Sequence, residues 1–172
     1  RTSVIRDNGI LFPLDFKSGE DRLFNARLFP LLRSFACIDQ PFYRYLNDEK
    51  GLNARFVPNR FEAALSCHQA LSQACRDMEI SGPETEAVLS YQFVKGVMSC
   101  FTQLSVESCP LTGKQKKDYI RKILQNDEVQ LAIRKNGRAG GSAKLATAVL
   151  RTGSPFLMRL SAFGIFFLEH RM

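Results

Sequence analysis

The sequence predicts an α+β fold, in which a short region of mixed helix and strand precedes a longer, mainly α-helical one. Before residue 57, short apolar runs alternate with turn-forming residues, as they do around strands, on either side of one helix-like stretch. From Pro58 onwards, apolar residues recur every three or four positions, which is the spacing of amphipathic helices. With 172 residues, 45% of them hydrophobic, the chain can bury a core of its own.

Residues 1–57 are predicted to contain a strand, a helix and an extended segment, in that order. The strand is expected at residues 2–5, before an Asn8-Gly9 turn and a further apolar stretch. The helix is expected from Glu20 to about residue 33, with a kink at Pro30 because proline lacks the backbone donor that a helix needs. Residues 34–46 are predicted to be extended, and a polar turn follows them.

Residues 58–136 are predicted to form helices with capping patterns at their starts. A capping side chain followed three residues later by Glu or Gln occurs three times, at Asn59 and Glu62, Ser81 and Glu84, and Thr112 and Gln115. A further short helix is expected near residues 129–135. His68 shares the apolar face of the first of these helices, so we interpret it as a core residue.

Residues 137–172 are predicted to form a basic, apolar tail. The run Asn-Gly-Arg-Ala-Gly-Gly-Ser at residues 136–142 predicts a hinge, because no Gly-Lys-Ser/Thr follows as in a phosphate-binding loop. A closing helix is expected from Ser154-Pro155, and its uninterrupted apolar run, residues 162–168, is far shorter than the roughly 20 residues needed to span a bilayer. Packing on the preceding helices and docking among lipid headgroups both remain open for it.

The positive charge of the chain is concentrated near its C-terminus. Of a net charge of +7, residues 134–172 hold seven Lys or Arg and one acid, which predicts an anionic partner such as a phospholipid surface. No nucleic-acid-binding module is recognisable, so we expect no nucleic-acid partner. Two histidines and the absence of a Cys or carboxylate cluster at zinc-like spacing predict no metal site built from this chain alone.

The cysteines predict a reducing, cytoplasmic setting. Their number is odd and their spacing irregular, which does not fit a disulfide framework. We therefore expect five buried thiols, at Cys37, Cys67, Cys75, Cys100 and Cys109.

Two adjacent carboxylates, Glu20 and Asp21, stand at the predicted start of the first helix. Leu23 and Phe24 follow after Arg22 and are expected to point into the core, which would hold the carboxylates at the mouth of the helix. Ser18 and Asp21 also fit a capping pattern, and the helix dipole favours acids in a first turn whether or not they do chemistry. Taken alone, the spacing favours capping over proton transfer.

The residues around this pair occur in an order typical of one enzyme family. Gly19-Glu20-Asp21 with Phe24-Asn25 resembles the Gly-Glu-Asp…Phe-Asn helix of many bacterial family 2 glycosyltransferases, and Phe12 stands where a strand of that family ends. Residues 41–45, Pro-Phe-Tyr-Arg-Tyr, with Leu52-Asn53 after them, resemble the family's returning strand and the polar segment that follows it. The resemblance covers roughly residues 1–60.

The resemblance implies a fold and an activity. It implies that residues 1–57 are the C-terminal part of a GT-A type α/β catalytic domain, followed by a helical subdomain at 58–136 and the tail at 137–172. The implied reaction moves a sugar from a nucleotide-sugar donor to a hydroxyl of a glycan or lipid-linked acceptor, with inversion, as in polysaccharide synthesis. Asp21 would be the base, and Glu20 would orient the acceptor or tune that base.

The donor side of the implied reaction is only partly represented. The family's Asp-x-Asp motif, which holds the donor through Mg²⁺ or Mn²⁺, does not occur, so the cation's ligands are expected outside this sequence and the chain is expected to be inactive alone. The nearest candidates to contact the departing diphosphate are Arg44, Tyr45, Asn53 and Arg55. Leu46 replaces the arginine that commonly follows the second tyrosine, which weakens a phosphate-binding role for this segment.

Two functional hypotheses follow. The first is the glycosyltransferase, which we expect in the cytoplasm and peripherally on the inner face of the cytoplasmic membrane, with an exposed cleft edge that makes the isolated chain a homodimer. The second is a non-catalytic helical interaction module, in which Glu20 and Asp21 only cap a helix and the basic tail binds a membrane or a partner protein.

Overall fold

The structure is a computed structural model that describes residues 2–16, 18–43, 55–136, 148–152 and 154. Helices account for 67% of these residues, and none of them lies in a strand. The described fold is therefore all-α. The predicted α+β class, with part of a GT-A type α/β domain before the helical extension, is wrong for this part of the chain.

Most of the regular structure that the described residues form consists of six α-helices and two 3-10 turns. In chain order they are α1 (Thr2–Asp7), α2 (Glu20–Leu28), a 3-10 turn (Phe29–Leu31), α3 (Arg60–Asp77), α4 (Pro83–Thr102), a 3-10 turn (Gln103–Ser105), α5 (Gly113–Leu124) and α6 (Asp127–Asn136). Residues 148–152 are also helical.

The first residues form a helix where a strand was predicted. Residues 2–5 belong to α1, which ends at the predicted Asn8-Gly9 turn. Gly9 has a positive φ of 58°, and its N–H donates to the carbonyl of Arg6 at 3.1 Å, as at the end of a helix. The turn was correctly predicted, but a glycine turn ends a helix as readily as a strand, so it could not decide between the two.

The predicted extended segment also lacks a strand. α2 ends at Leu28, and Pro30 lies in the 3-10 turn after it, so the helix is shorter than predicted. Residues 32–43 have no regular structure and pair with no described segment. The part of the predicted segment from residue 44 to 46 lies outside the described residues, as does the polar turn.

α4 is the central helix. It packs against both α3 and α6, while α2 packs on α3 and α5 contacts α6. Val97, Cys100 and Phe101 of α4 are fully buried, and burial of a large apolar side chain contributes about 1.5–3 kcal/mol. The helices predicted within residues 58–136 are confirmed, since their apolar stripes form this core. Leu150 joins the core from residues 148–152.

Only one of the three predicted capping boxes forms. At the start of α5, the Thr112 hydroxyl accepts from the Gln115 N–H at 3.3 Å, and the Gln115 side chain accepts from the Thr112 N–H at 2.8 Å. Asn59 instead donates through Nδ2 to the carbonyl of Asp15 at 2.7 Å. α4 begins at Pro83 without a side-chain cap.

The predicted burial of all five cysteines is wrong at one of them. Cys67 and Cys100 are buried and Cys75 and Cys109 half-buried, whereas Cys37 is exposed; all five are free thiols. Cys37 is exposed because it lies in the irregular stretch 32–43, whose residues are nearly all exposed.

Within the part of the chain that the structure describes, no helix combines the length and the hydrophobicity needed to cross a bilayer. The predicted hinge beyond Asn136 and the predicted closing helix beyond Ser154 lie outside the described residues.

Candidate functional site

The first turn of α2 borders a cleft between α3 and α4. The cleft has a volume of about 310 Å³, at the lower end of the ~300–1,000 Å³ typical of small-molecule sites. Asp21 and Arg22 line it from α2, Arg60 from α3, and Gln92 and Lys95 from α4. The three helices thus bring one carboxylate, three cationic side chains and an amide to one concave surface.

Small side chains leave the space for this cleft. Ala63 and Ala64 of α3 face Gly96 and Ser99 of α4 along its wall. A Cβ atom added to Gly96 would lie 3.1 Å from the Cβ of Ala64, so the two helices approach closely here. Larger residues at these positions would fill the cleft or push the helices apart.

Asp21 lines the cleft as an exposed side chain. Its Oδ1 accepts the backbone N–H of Arg22 at 2.8 Å, and it forms no salt bridge with any described residue. The positive end of the α2 dipole favours a negative charge at this position. The carboxylate is therefore held by one hydrogen bond and remains open to a ligand in the cleft.

The turn that carries Asp21 is clamped onto α3. The predicted Ser18 cap does not form, and the residue before α2 is Gly19, with a left-handed φ of 83°. The Cys67 thiol donates to the Gly19 carbonyl at 3.3 Å, and a Cβ added to Gly19 would lie only 2.8 Å from that sulfur. Leu23 is buried as predicted and anchors the helix behind the turn.

Glu20 is separated from Asp21 by the geometry of the helix. It is not among the residues that line the cleft, and its Oε2 is buried without a hydrogen-bond partner among the described residues. Glu20 does not contact the space in which an acceptor would bind, so the predicted role of orienting the acceptor does not match its position.

Of the four residues predicted to contact the diphosphate, the structure describes only Arg55. Arg44, Tyr45 and Asn53 lie outside the described residues. Arg55 is described and exposed, but it does not line the cleft.

The sequence patterns did not predict that Arg60, Gln92 and Lys95 line a site. Arg60 is fixed by Gln103, a side chain only 4% exposed, whose Oε1 accepts from the Arg60 Nε–H at 3.1 Å and from the Val57 N–H at 3.0 Å. A signal for the cleft does exist in the sequence: helical spacing places Arg60, Ala64, Cys67 and Leu71 on one face of α3, a face too polar and too small to be core alone.

His68 lines the same cleft, with its ring half-buried. It stacks on Phe93, with ring centroids 4.3 Å apart and planes 4° from parallel, and its Nε2 is 3.9 Å from a carboxylate oxygen of Glu128. Burial lowers the pKa of His68; Glu128 opposes this effect and Lys135 adds to it. The predicted core position holds in part, because His68 also lines a second cleft, of about 450 Å³, between α3, α4 and α6.

Cys67 and His68 do not form a nucleophile and its base. Burial raises the pKa of the Cys67 thiol, with Asp21 and Glu20 adding to the rise and Arg22 opposing it. A neutral thiol beside a neutral imidazole lacks the thiolate character that nucleophilic cysteines need.

The described residues do not fit the divalent cation that the resemblance implies. Among them, no group of three or more His, Cys, Asp or Glu side chains is placed to hold a metal ion. The reaction assigned to Asp21 therefore gives no role to a metal bound by these residues.

No protein-family model matches the chain, and neither a curated protein nor a solved structure matches it.

Proposed function

We propose that this chain supplies the acceptor side of an inverting glycosyl transfer, with Asp21 as the base. One observation carries the proposal: the Asp21 carboxylate, at the N-terminus of α2, lines a cleft of small-molecule size and forms no salt bridge with a described residue. A carboxylate in that situation can receive a proton from a bound hydroxyl group.

The chemistry assigned to Asp21 is a single proton transfer. An acceptor hydroxyl in the cleft gives its proton to the carboxylate while its oxygen bonds to the anomeric carbon of the donor sugar. The bond from that carbon to the nucleoside diphosphate breaks on the opposite face, and the diphosphate leaves with the electron pair. The Arg22 N–H fixes Oδ1 of Asp21 at 2.8 Å, so Oδ2 is the oxygen free to take the proton.

Polar side chains on α4 suit an acceptor hydroxyl. Gln92 lines the same cleft and can both donate and accept hydrogen bonds, as the neighbouring hydroxyls of a sugar require. The Ser99 hydroxyl also lines it; it donates to the Gly96 carbonyl at 3.0 Å and can accept a hydrogen bond from a ligand. Glu20, whose Oε2 is buried, would act on the reaction only through its charge on Asp21.

The stereochemistry of the product tests the reaction class. The complete encoded protein is incubated with UDP-glucose, UDP-galactose, UDP-N-acetylglucosamine and GDP-mannose, each with a panel of glycan acceptors, and the anomeric configuration of any product is read by NMR. The proposal expects a product with the configuration inverted relative to the donor. A retained configuration, or no transfer from any of these donors, contradicts it.

A second candidate function, the helical interaction module, is favoured by the apolar surface of residues 35–43. Phe35, Ile38 and Phe42 are 69–85% exposed, more than a chain without partners usually leaves open in one stretch. This module would bind a partner protein or an anionic membrane, with the basic tail supplying charge.

Binding to vesicles tests the membrane version of the second candidate. Because Leu150 is buried in the core, deleting residues 137–172 would also damage packing, so neutralising the tail is the cleaner change. The triple variant Arg138→Gln, Lys144→Gln, Arg159→Gln is compared with the wild type by co-sedimentation with phosphatidylserine vesicles. Weaker binding of the variant supports the tail's role, and equal binding excludes it.

A further inference from the structure

We propose that the cleft binds an anionic sugar, one that carries a phosphate or a carboxylate group, through Arg60, Arg22 and Lys95. This deepens the proposed function by naming the chemical class of its acceptor. It rests on the proposed function only in calling the bound sugar an acceptor. The binding site itself follows from the charges and contacts of the cleft.

The cleft is lined by more positive than negative side chains, which favours an anionic ligand. Among the described residues, three cationic side chains and one carboxylate line it, and their charges sum to +2. Within the described residues, neither Arg22 nor Arg60 forms a salt bridge. Cations gathered in a concave site attract an anionic ligand, and guanidinium groups match the oxygens of phosphate and carboxylate in geometry.

The fixed position of Arg60 is the second argument. Gln103 is 4% exposed, and its Oε1 accepts from the Arg60 Nε–H at 3.1 Å. The same oxygen accepts the Val57 N–H at 3.0 Å, so the anchor itself is held by the backbone. This contact uses the Nε side of the guanidinium and leaves both terminal nitrogens to form paired hydrogen bonds with an anion.

The position of Asp21 decides which part of the reaction the anion belongs to. In an inverting transfer, the base removes a proton from the acceptor on one face of the anomeric carbon, and the nucleoside diphosphate leaves from the other. Arg22 directly follows Asp21, and Arg60 and Lys95 line the same cleft, which the proposed function assigns to the acceptor. The anionic group therefore belongs to the acceptor and not to the departing diphosphate.

Matched sugars test the inference on the 172-residue chain itself. Dissociation constants for glucose, glucose 6-phosphate and glucuronate are measured by calorimetry at fixed ionic strength. At least one anionic sugar is expected to bind about tenfold more tightly than glucose, which is the strength of one charge-assisted hydrogen bond. Preference for glucose 6-phosphate identifies a phosphorylated ligand, and preference for glucuronate an acidic sugar. Equal binding of all three sugars, or no binding, overturns the inference.

Substitutions then assign the preference to the cleft. Arg60→Met is expected to reduce binding of the preferred anionic sugar about tenfold and to leave glucose binding unchanged. Arg121→Gln removes the same charge from an exposed site on α5, where Arg121 pairs with Asp118, and is expected to change neither. If Arg60→Met lowers the helix content measured by circular dichroism, Lys95→Met replaces it in the comparison. An unchanged preference in a folded cleft variant overturns the inference.

The result is separable from that of the proposed function. If an Asp21→Asn variant still transferred the sugar, Asp21 would not be the base. The preference for an anionic sugar over glucose would be unaffected by that result. If the preference for an anionic sugar were absent but the transferred product were still inverted, the proposed anion site would be wrong and the assignment of Asp21 as the base would stand.

Discussion

Gly19 is the residue on which the position of Asp21 most depends. Its φ of 83° is one that residues with a Cβ rarely adopt, and its carbonyl accepts from the Cys67 thiol at 3.3 Å. The space above it is closed by the same sulfur, 2.8 Å from where a Cβ would stand. The turn before α2 therefore requires glycine for both its conformation and its packing.

Gly19→Ala is expected to destabilise the protein by about 1–3 kcal/mol, through strain at a positive φ and overlap with Cys67. Urea unfolding measures the change. Gly113→Ala is the matched control, because Gly113 has an ordinary φ and nothing lies within 4 Å of its added Cβ, so no loss of stability is expected there. Equal effects of the two substitutions would show that the turn is not constrained as described.

His68 makes stability depend on pH in a direction that its burial fixes. Because burial lowers its pKa in the folded protein, the neutral ring is the favoured form. Its contribution is complete above the unfolded-state pKa of about 6.5 and is lost as the pH falls through the lower folded-state value. Acidification from pH 7.5 to 5 should thus destabilise the fold.

The test compares the free energy of unfolding at pH 7.5 and pH 5 in two variants. His68→Gln is expected to reduce the loss of stability on acidification relative to the wild type. His170→Gln, which removes the only other histidine, is expected to leave that loss unchanged. If His170→Gln flattens the pH dependence and His68→Gln does not, the assignment is wrong.

At the scale of elements, the spacing of apolar residues predicted α3 to α6. Each of these helices has enough turns for a 3.6-residue pattern to be recognised, and each buries the apolar face that produces the pattern. The six residues of α1 are too few for such a pattern, and none of them is buried. Residues 34–46 were predicted to be extended, and the family resemblance implied a strand there. A strand needs a partner, and the described residues provide none.

The same limits apply to the site. Asp21 was predicted because the residues of its motif adjoin one another in the chain. Arg60 and Lys95 were not predicted, because they share a cleft with Asp21 only when α3 and α4 pack together. That packing cannot be read from a single sequence. Gln103 could not be found either, since its contact with Arg60 joins residues 43 positions apart.

Residues 35–43 are expected to drive self-association of the isolated chain. Phe35 is 85% and Phe42 77% exposed, and covering such apolar area is favourable. Sedimentation velocity should show a dimer that becomes more populated with concentration, and the double variant Phe35→Ser, Phe42→Ser should shift it to monomer. Val88→Ser, at a residue 59% exposed on α4, should have no such effect. A wild-type chain that stays monomeric at high concentration contradicts the expectation.

For the whole molecule, the central helix α4 is what links stability to the site. One face of α4 forms the core with α6 and the other borders the cleft with α3, so the core backs the cleft wall. Binding groups held in this way are preorganised, which favours a site that positions a reacting hydroxyl.

The most direct test of the account is the turnover of Asp21→Asn in the complete encoded protein. The amide keeps the size of the side chain but cannot accept the proton, so kcat is expected to fall about 10²- to 10⁴-fold while donor binding, measured separately, is unchanged. Asp118→Asn, on the exposed surface of α5, makes the same chemical change away from the cleft and should retain wild-type turnover. Wild-type turnover by Asp21→Asn would contradict the account.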